Sequence, residues 1–309
     1  MGTLILFYKY VDIQYPKQIL KWQTQICQDL GLKGRIILAH EGINGTLAGD
    51  NTMVERYITL MNNHELFGAI DFKKSEGDSD YFPRLRIVIK DEIVNFGQDT
   101  QKVTVRDGGR HLTPAQAHAL LQDKPENLVI LDTRNNYESR IGTFTDAIIP
   151  DIKNFRDLPE YLDINAEQFK DKKVLMFCTG GVRCERATAY LNQKGIAQEV
   201  YQVEGGIVRY TEQFPDGYFR GKNYVFDSRV AVKINDDILS ICDLCSNASD
   251  DYTNCLNATC NKHFIACQDC VTQYHNTCSK ECSELVTNKK VAVRAPFKKA
   301  EPQTACSVQ

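Results

Sequence analysis

Val174-Leu175-Met176-Phe177-Cys178-Thr179-Gly180-Gly181-Val182-Arg183 is an apolar strand pattern that runs directly into a loop with two glycines. A helical pattern follows, from Cys184 to Leu191. Backbone N–H groups in such a loop, together with the positive end of the helix dipole, favour a thiolate and lower the pKa of its thiol. Adjacent glycines let the backbone turn tightly enough to aim several N–H groups at one centre. The pattern therefore predicts a reactive thiolate at Cys178.

The spacing of this loop separates three classes of cysteine enzyme. Protein tyrosine phosphatases place their arginine after five spacers, where it clamps phosphate with two hydrogen bonds. Here Arg183 follows Cys178 after four residues, and the next position is Cys184. A thiol–disulfide oxidoreductase needs two cysteines separated by two residues, and this pair is not. What remains is a rhodanese-type loop, whose thiolate accepts or carries sulfur, with loop residues Thr179, Gly180, Gly181, Val182 and Arg183.

Two further segments resemble rhodanese motifs. Leu131-Asp132-Thr133-Arg134, followed by Ala147-Ile148-Ile149-Pro150, is similar to the first motif, although Ile141-Gly142-Thr143 lacks the histidine of the usual Gly-His-Ile step. Val203-Glu204-Gly205-Gly206-Ile207 is similar to the closing glycine pair. We expect Asp132 and Arg134 to form an ion pair that braces the sheet. Cys184 either resolves a persulfide as a disulfide partner or simply fills the first turn of the helix.

The pattern of strands and helices predicts an α/β protein with three folded parts. Strands and helices alternate around a hairpin at the start, which indicates a ferredoxin-like α+β domain, with Asn51 as the cap of its second helix. Buried parallel strands follow, typical of a doubly wound domain whose ligands bind at the carboxyl ends of the strands. The predicted boundaries are 1–97 for the ferredoxin-like domain, 98–122 for a linker and the start of the rhodanese region, 123–220 for the doubly wound rhodanese domain, 221–240 for a connector, 241–285 for a small Cys-rich module and 286–309 for a basic polar tail.

Composition narrows the class of protein. The 309 residues carry a formal net charge of only -3, so no global positive field indicates a nucleic-acid partner. No apolar run approaches the roughly 18 residues that cross a bilayer, and no secretion signal is recognised. We therefore expect a cytoplasmic protein without a membrane partner.

The cysteines are concentrated in one segment, because eight of the 12 fall between Cys242 and Cys282. Without a secretion signal, metal binding is a better expectation than disulfides, and a segment with few large apolar residues needs one of the two to fold. We predict two structural zinc ions, with His263 and His275 as alternative ligands. The more convincing set of ligands is Cys242, Cys245, Cys267 and Cys270, which leaves Cys255, Cys260, Cys278 and Cys282 as the second set; the spacing alone does not fix this pairing.

Taken whole, the chain resembles the bacterial tRNA uridine hydroxylases, a family of rhodanese-domain proteins. The segment 38–46, LAHEGINGT, is similar to the first signature of that family, 178–185 to its catalytic signature and the cysteine cluster to its C-terminal module. The resemblance implies oxygen-dependent hydroxylation of the wobble uridine of tRNA to 5-hydroxyuridine, with Cys178 as the essential thiolate. It also implies the tRNA anticodon loop as partner and molecular oxygen as co-substrate, and no organic cofactor is evident.

Two other functions stay open at this point. One is a sulfurtransferase that carries a persulfide on Cys178, and the other is a non-catalytic RNA- or protein-binding scaffold. The flanking domains count against a plain sulfurtransferase, whereas the intact Cys178 and Arg183 count against a scaffold. Within the hydroxylase interpretation, Cys178 either adds to C6 of the uridine, which activates C5, or acts as a persulfide.

The turn His40-Glu41-Gly42-Ile43-Asn44-Gly45 also has two interpretations. In the first, it is a strained hairpin in which the glycines and Asn44 take left-handed backbone conformations. In the second, His40, Glu41 and Asn44 face RNA, because side chains can read a single-stranded anticodon loop directly. The tail bases are likewise either solvated or in contact with phosphates; they are Lys289, Lys290, Arg294, Lys298 and Lys299.

Overall fold

The computed structural model describes residues 2–78 and 80–294. Within them the chain divides into two compact units, the first made of 2–136 with 146–218 and the second of 137–145 with 219–294. No helix in these ranges is long and apolar enough to cross a membrane. Lys298 and Lys299 of the predicted basic tail lie outside the described residues.

The first unit begins with a five-stranded sheet covered by two helices. Its elements are β1 Gly2–Tyr10, α1 Pro16–Asp29, β2 Lys33–Ala39, β3 Gly42–Asp50, α2 Asn51–Asn62, β4 Lys73–Gly77 and β5 Leu85–Ile89. The sheet order is β4-β1-β3-β2-β5. The first four strands follow the order 4-1-3-2 of a split βαβ unit, which confirms the predicted ferredoxin-like domain. The fifth strand adds to its edge, parallel to β2.

Two local predictions in this domain were wrong. The cap of α2 is Asp50 rather than Asn51, because the Asp50 carboxylate accepts the backbone N–H of Thr52 at 3.0 Å. Asn44 is not left-handed but lies inside β3. Gly42 does need to be glycine, since its φ is +149° and a Cβ there would lie 2.1 Å from the Lys9 carbonyl oxygen.

The second part of the first unit is a parallel sheet in the order β6-β10-β9-β7. This sheet confirms the predicted doubly wound domain. The elements from here to residue 213 are, in chain order, β6 Arg110–Leu112, α3 Pro114–Asp123, β7 Leu128–Asp132, α4 Asn136–Ser139, β8 Gly142–Phe144, α5 Leu158–Ile164, β9 Lys173–Phe177, α6 Val182–Lys194, β10 Glu199–Val203 and α7 Gly206–Gln213. Of these, β8 and all of α4 except Asn136 belong to the second unit.

Alternation along β9 explains how the helices are distributed. Val174 and Met176 join one apolar cluster with residues of α5 and α6, whereas Leu175 and Phe177 point to the other face of the sheet. The helices form two pairs: α5 packs against α6, and α3 packs against α7. This packing buries β9 on both faces and brings its carboxyl end, followed by Cys178, to the edge where α6 begins.

The second unit contains the strands and helices β11 Phe219–Tyr224, β12 Ala231–Lys233, β13 Tyr252–Asn254, β14 His263–Ile265, α8 Gln268–Gln273 and α9 Lys280–Thr287. The prediction of a connector at 221–240 was wrong, because β11 and β12 pair there with each other. Residues 137–145, which lie within the predicted rhodanese domain, cluster with this unit, since β8 pairs with β11. Both differences arise from strand pairing between distant segments.

Two segments expected to be irregular are packed against the fold. In the linker, Val103 is buried, and Arg186 of α6 donates to the carbonyl oxygens of Val103 and Gln98. At the start of the tail, the backbone N–H of Arg294 donates to the carbonyl oxygen of Leu256 at 2.8 Å. The cysteine-rich module therefore continues past residue 285 to at least 294.

Candidate active site and cysteine clusters

The reactive loop occupies the carboxyl end of β9. Cys178 follows the last strand residue, and the backbone N–H of Gly181 donates to its sulfur at 3.1 Å. Gly181 has φ +104°, and a Cβ there would lie 2.7 Å from the hydroxyl oxygen of Tyr8. Only glycine can make this turn at such a close approach. The predicted role of the glycines agrees with this geometry.

A second glycine holds the loop from behind. Gly206, at the start of α7, has φ +65°, and a Cβ there would lie 2.4 Å from the Cys178 carbonyl oxygen. The backbone N–H groups of Ile207 and Val208 donate to the carbonyls of Cys178 and Thr179 at 2.9 and 3.1 Å. The loop carbonyls are thus bound by α7, which leaves the loop N–H groups facing the sulfur.

The surroundings of Cys178 favour its thiolate. Burial of the fully enclosed side chain raises the pKa, but a hydrogen bond from Cys184, the positive charge of Arg183 and the N–H groups of Arg183 and Gly181 outweigh it. Together they lower the pKa of the Cys178 thiol to about 5. A thiol with this pKa is ionised at neutral pH and is a nucleophile.

Cys184 fills the first turn of the helix, as in the second interpretation given above. It is fully buried in the first turn of α6, and its sulfur lies 3.6 Å from the Thr133 hydroxyl oxygen. Burial and its hydrogen bond to Cys178 raise its own pKa well above the usual range, so Cys184 is a protonated donor. Cys184 is therefore a protonated thiol next to the loop. A resolving role stays a prediction.

The remaining loop side chains are held in place by neighbours. Arg183 is nearly buried, and one of its terminal nitrogens donates to the Thr179 hydroxyl at 3.3 Å. The Val182 carbonyl accepts a hydrogen bond from the Tyr10 hydroxyl at 3.3 Å. The Arg183 guanidinium therefore contributes charge beside the loop in an ordered position.

Asp132 and Arg134 form the predicted brace. Both side chains are fully buried, and an Arg134 nitrogen lies 2.7 Å from the Asp132 carboxylate. The guanidinium also lies over the ring of Phe177, 5.9 Å from its centroid. A fully buried pair that joins β7 to the end of β9 supports the loop and does not meet a substrate.

The N-terminal domain supplies one wall of the site. The Tyr8 hydroxyl of β1 donates to Glu185 of α6 at 2.9 Å, and the other Glu185 oxygen lies 3.2 Å from Nε2 of His111. The hydrogen bond to Glu185 raises the pKa of His111. Burial, followed by the charge of Glu185, raises the pKa of Tyr8 far above its usual range, so its hydroxyl stays protonated.

Lys73 is an unexpected cation at the same wall. Its side chain is almost fully buried, forms a 2.8 Å ion pair with Asp71 and lies over the Tyr8 ring, 5.4 Å from the centroid. A Cβ at Gly205 would lie 3.4 Å from the Cε atom of Lys73. No local sequence signal marks Lys73, Tyr8 or Glu185 as site residues, because strand pairing and domain packing bring them there.

The three predicted RNA-facing residues lie at the start of β3. His40 is exposed, with Nδ1 3.0 Å from the Ile13 carbonyl oxygen. Glu41 accepts the Ile93 N–H at 2.9 Å, and Asn44 donates to the Ile93 carbonyl at 3.0 Å. Glu41 also lies 3.5 Å from the Arg186 guanidinium. Glu41 and Asn44 thus have protein partners, which leaves His40 as the most accessible of the three.

The eight clustered cysteines form two groups with the predicted membership. They are Cys242, Cys245, Cys267 and Cys270, and Cys255, Cys260, Cys278 and Cys282. Within each group all sulfur atoms lie within 4.8 Å of one another. The Cys245–Cys267 and Cys260–Cys278 sulfurs are 3.6 and 3.5 Å apart, too far for a disulfide of about 2.05 Å. Such spacings fit the edges of a tetrahedron around a metal with bonds of about 2.3 Å.

Two donors point at these sulfurs. The Leu244 N–H lies 3.4 Å from the Cys242 sulfur, and the Asn257 amide lies 3.4 Å from the Cys282 sulfur. Hydrogen bonds of this kind orient thiolate ligands. The predicted substitutes are not needed, because His263 stacks on Tyr252 with its ring centroid at 4.3 Å and His275 contacts Ser283. Two four-cysteine sites can therefore bind a metal such as zinc.

Sequence profiles of three known domains match consecutive parts of the chain. Residues 2–93 match a UPF0176 acylphosphatase like domain, residues 113–213 a Rhodanese-like domain and residues 220–283 a Rhodanase C-terminal domain. A rhodanese-like domain protein from Staphylococcus aureus is similar over 33% of this chain and 90% of its own, at 24% identity and a TM-score of 0.27.

Relatives similar over nearly the full length have one name. The tRNA uridine(34) hydroxylase of Corynebacterium jeikeium (strain K411) is 37% identical over 292 residues, which cover 91% of this chain and 94% of the relative. The tRNA uridine(34) hydroxylase of Cytophaga hutchinsonii is 38% identical over 282 residues, which cover 90% of this chain and 89% of the relative. The similarity includes the flanking domains as well as the rhodanese domain.

Proposed function

Because the chain belongs to the tRNA uridine(34) hydroxylase family, we propose that it hydroxylates uridine 34 of tRNA and that Cys178 is its essential thiolate. The observation that carries the proposal is a buried thiolate in a loop whose N–H groups and arginine are already in place. The hydrogen-bond donors and the positive charge that stabilise the thiolate are therefore preorganised around the sulfur.

The proposed first step is addition of the Cys178 sulfur to C6 of the uracil ring. This bond forms as the C5=C6 electron pair moves toward C5 and the C4 carbonyl, which makes C5 a nucleophile. The Cys178 thiolate, stabilised by Gly181 and Arg183, is a suitable attacking group and later a suitable leaving group. Nucleophilic catalysis of this kind replaces one difficult step with two easier ones.

Molecular oxygen is the proposed source of the new hydroxyl. One oxygen atom bonds to C5, and the other leaves as water after two electrons and two protons arrive from an external reductant. The C5 proton is then lost and the sulfur–C6 bond breaks, which restores the C5=C6 double bond and frees Cys178. The chain's own part in this sequence is the thiolate, together with the Gly181 N–H and the Arg183 charge that stabilise it.

The proposed target is the anticodon loop, where base 34 is unpaired. Single-stranded bases can be turned outward and read on their edges by side chains. His40, with Glu41 and Asn44 behind it, is the proposed RNA-facing turn. A tRNA substrate also supports a cytoplasmic location.

Two zinc ions are the proposed metals of the four-cysteine sites. Their role is structural, since four protein ligands leave no open position for a substrate. Each site joins segments that have few large apolar side chains. Zinc would contribute directly to the folding of this unit.

A sulfurtransferase is the second candidate function. It is favoured by the loop, which binds a single sulfur atom through N–H groups and would hold a persulfide equally well. Mass spectrometry of protein trapped during turnover separates the two candidates. A nucleoside adduct on Cys178 supports hydroxylation through addition, whereas a gain of about 32 Da, one sulfur, supports the persulfide.

Nucleoside analysis of tRNA tests the proposed function itself. We expect 5-hydroxyuridine and its derivatives to fall in cells that lack the protein, to return with the wild-type chain and not to return with Cys178→Ser. Cys27→Ser is the matched control, because Cys27 is buried in the N-terminal core away from the loop. Unchanged modification in a deletion strain without a parallel pathway would contradict the proposal.

A further inference from the structure

The N-terminal sheet has one face that its helices do not cover. Ile5, Ile36 and Leu47 belong to the apolar cluster formed with α1 and α2. Because side chains alternate along strands, Leu6, Arg35 and Thr46 lie on the opposite face. That face meets the reactive loop, since a Cβ at Gly180 would lie 2.8 Å from Leu6 and one at Gly181 would lie 2.7 Å from Tyr8.

One row of paired residues crosses this face from the reactive loop to the edge strand. The register along the row is Lys73–Leu6–Thr46–Arg35–Arg86. Residues paired directly across strands have their side chains on the same face. The row therefore begins with buried Lys73 beside the loop and ends with two exposed arginines.

The far end of the row is positively charged. Arg84, Arg86 and Lys90 follow the alternation of β5 onto the same face as Arg35, and all four are exposed. We call these four residues the basic strip. In residues 2–78 and 80–294, none of their side chains has a hydrogen bond or an ion pair, whereas Lys33 and Lys74 of the same sheet pair with Asp80 and Glu55. The strip is a local exception in a chain of net charge -3.

We propose that the basic strip binds backbone phosphates of the tRNA whose base 34 enters the Cys178 site, an inference that rests on the proposed function. Alternate residues on β5 are about 7 Å apart, so they can contact separate phosphates of one strand. Free cations complement a polyanion, and the row of residues connects the strip with the reactive loop. Ile37 and Val88, which pair with each other on the same face, are half-buried between the charges.

The test compares two double variants of the full chain that lose the same charge. Arg35→Gln/Arg86→Gln removes the centre of the strip, and Lys17→Gln/Lys21→Gln removes two exposed cations from α1 on the other face of the sheet. The readout is the affinity for an anticodon stem–loop RNA over a series of salt concentrations. We expect the strip variant to bind roughly tenfold more weakly, with a salt slope shallower by about 1 to 2, and the α1 variant to match the wild type.

Several results would overturn the inference. Equal loss in both variants would show a net-charge effect, and unchanged affinity in the strip variant would show that this face does not bind RNA. Loss of binding to phosphatidylserine vesicles without loss of RNA affinity would assign the strip to a membrane. Thermal unfolding of both variants verifies folding, since substitutions of exposed side chains without packing partners change stability little.

Activity assays separate this inference from the proposed function. If the wild type hydroxylates RNA, the strip variant should show a raised KM with little change in kcat. An unchanged KM would contradict phosphate binding by the strip but not the proposed function. If the wild type does not hydroxylate RNA, weakened RNA binding by the strip variant would still support the strip while the proposed function fails.

Discussion

The Tyr8 hydroxyl donates a 2.9 Å hydrogen bond to Glu185, a residue 177 positions later in the chain. Tyr8 lies on the first strand of the N-terminal domain, and Glu185 lies one turn into the helix that follows the reactive loop. Because Gly181 approaches the same hydroxyl closely, this contact ties the N-terminal sheet to the Cys178 loop. The ferredoxin-like domain therefore lines the proposed Cys178 site.

Tyr8→Phe tests this coupling. We expect loss of the hydrogen bond to lower the free energy of unfolding by about 1 kcal/mol and kcat/KM for tRNA by about tenfold, because the wall of the site is no longer fixed. Tyr57→Phe is the control, since it removes a 2.8 Å buried hydrogen bond to Gln23 in the same domain. Equal kcat/KM in the two variants would contradict a role for Tyr8 in the site.

Cys184→Ala tests the hydrogen bond to the thiolate. Removing this donor should raise the pKa of Cys178, because the charged form loses a stabilising partner. The ultraviolet absorbance of the thiolate, followed against pH, measures the change. Cys27→Ala is the control. Burial alone raises the pKa of Cys27 to about 12, so this thiol does not contribute to the thiolate absorbance at neutral pH. Full activity of Cys184→Ala with an unshifted pKa would contradict the donor role.

Activity should fall as the pH drops toward the pKa of Cys178, about 5, because the thiol is not the nucleophile. The free energy of unfolding should change with pH in the same direction as the activity. The pKa of this thiol is lower in the folded chain than the usual value of about 8.5, so its stabilising contribution is complete above that value and is lost as pH falls through about 5. Denaturant unfolding of wild type and Cys178→Ser between these limits should differ in pH dependence. Parallel curves would contradict the lowered pKa.

Gly206→Ala should distort the reactive loop. Alanine at φ +65° costs about 1 kcal/mol in backbone strain, and its Cβ would also lie 2.4 Å from the Cys178 carbonyl oxygen. Gly195→Ala is matched in strain, with φ +62° at the end of α6, but its Cβ would meet nothing within 4 Å. We expect both variants to lose stability and only Gly206→Ala to lose most of its activity. Comparable activity in both would show that the loop tolerates the displacement.

Elemental analysis tests the metal sites. Protein purified without chelator should contain two zinc ions per chain, and Cys245→Ser or Cys260→Ser should each lose about one, because the two groups share no ligand. Chelation should unfold the second unit, which limited proteolysis detects. Cys27→Ser should keep both ions. Near-zero zinc in the wild type would reject the metal interpretation.

Much of the fold was predictable from local pattern. The helix that starts at Pro16, the apolar strands 128–132 and 173–177 and the turn at Gly181 follow from periodicity and glycine chemistry. The two groups of cysteines were also predicted, since paired spacings place ligands together. The strands within 221–240 and the change of unit at residue 137 were not predicted. The strands β8 and β11 are short, and their pairing joins segments about 75 residues apart, which leaves no local signal.

The sequence by itself determined where the thiolate lies and which eight cysteines cluster, since a strand, a glycine turn, a helix start and regular ligand spacing are encoded within a few residues. Only the tertiary structure decided what surrounds that thiolate. Tyr8 and Lys73 come to the Cys178 loop through sheet register and domain packing, the basic strip forms at the far edge of the same sheet, and Cys184 becomes a hydrogen-bond donor through its place in the first turn of a buried helix. Such contacts depend on long-range pairing and burial, which composition and spacing do not specify.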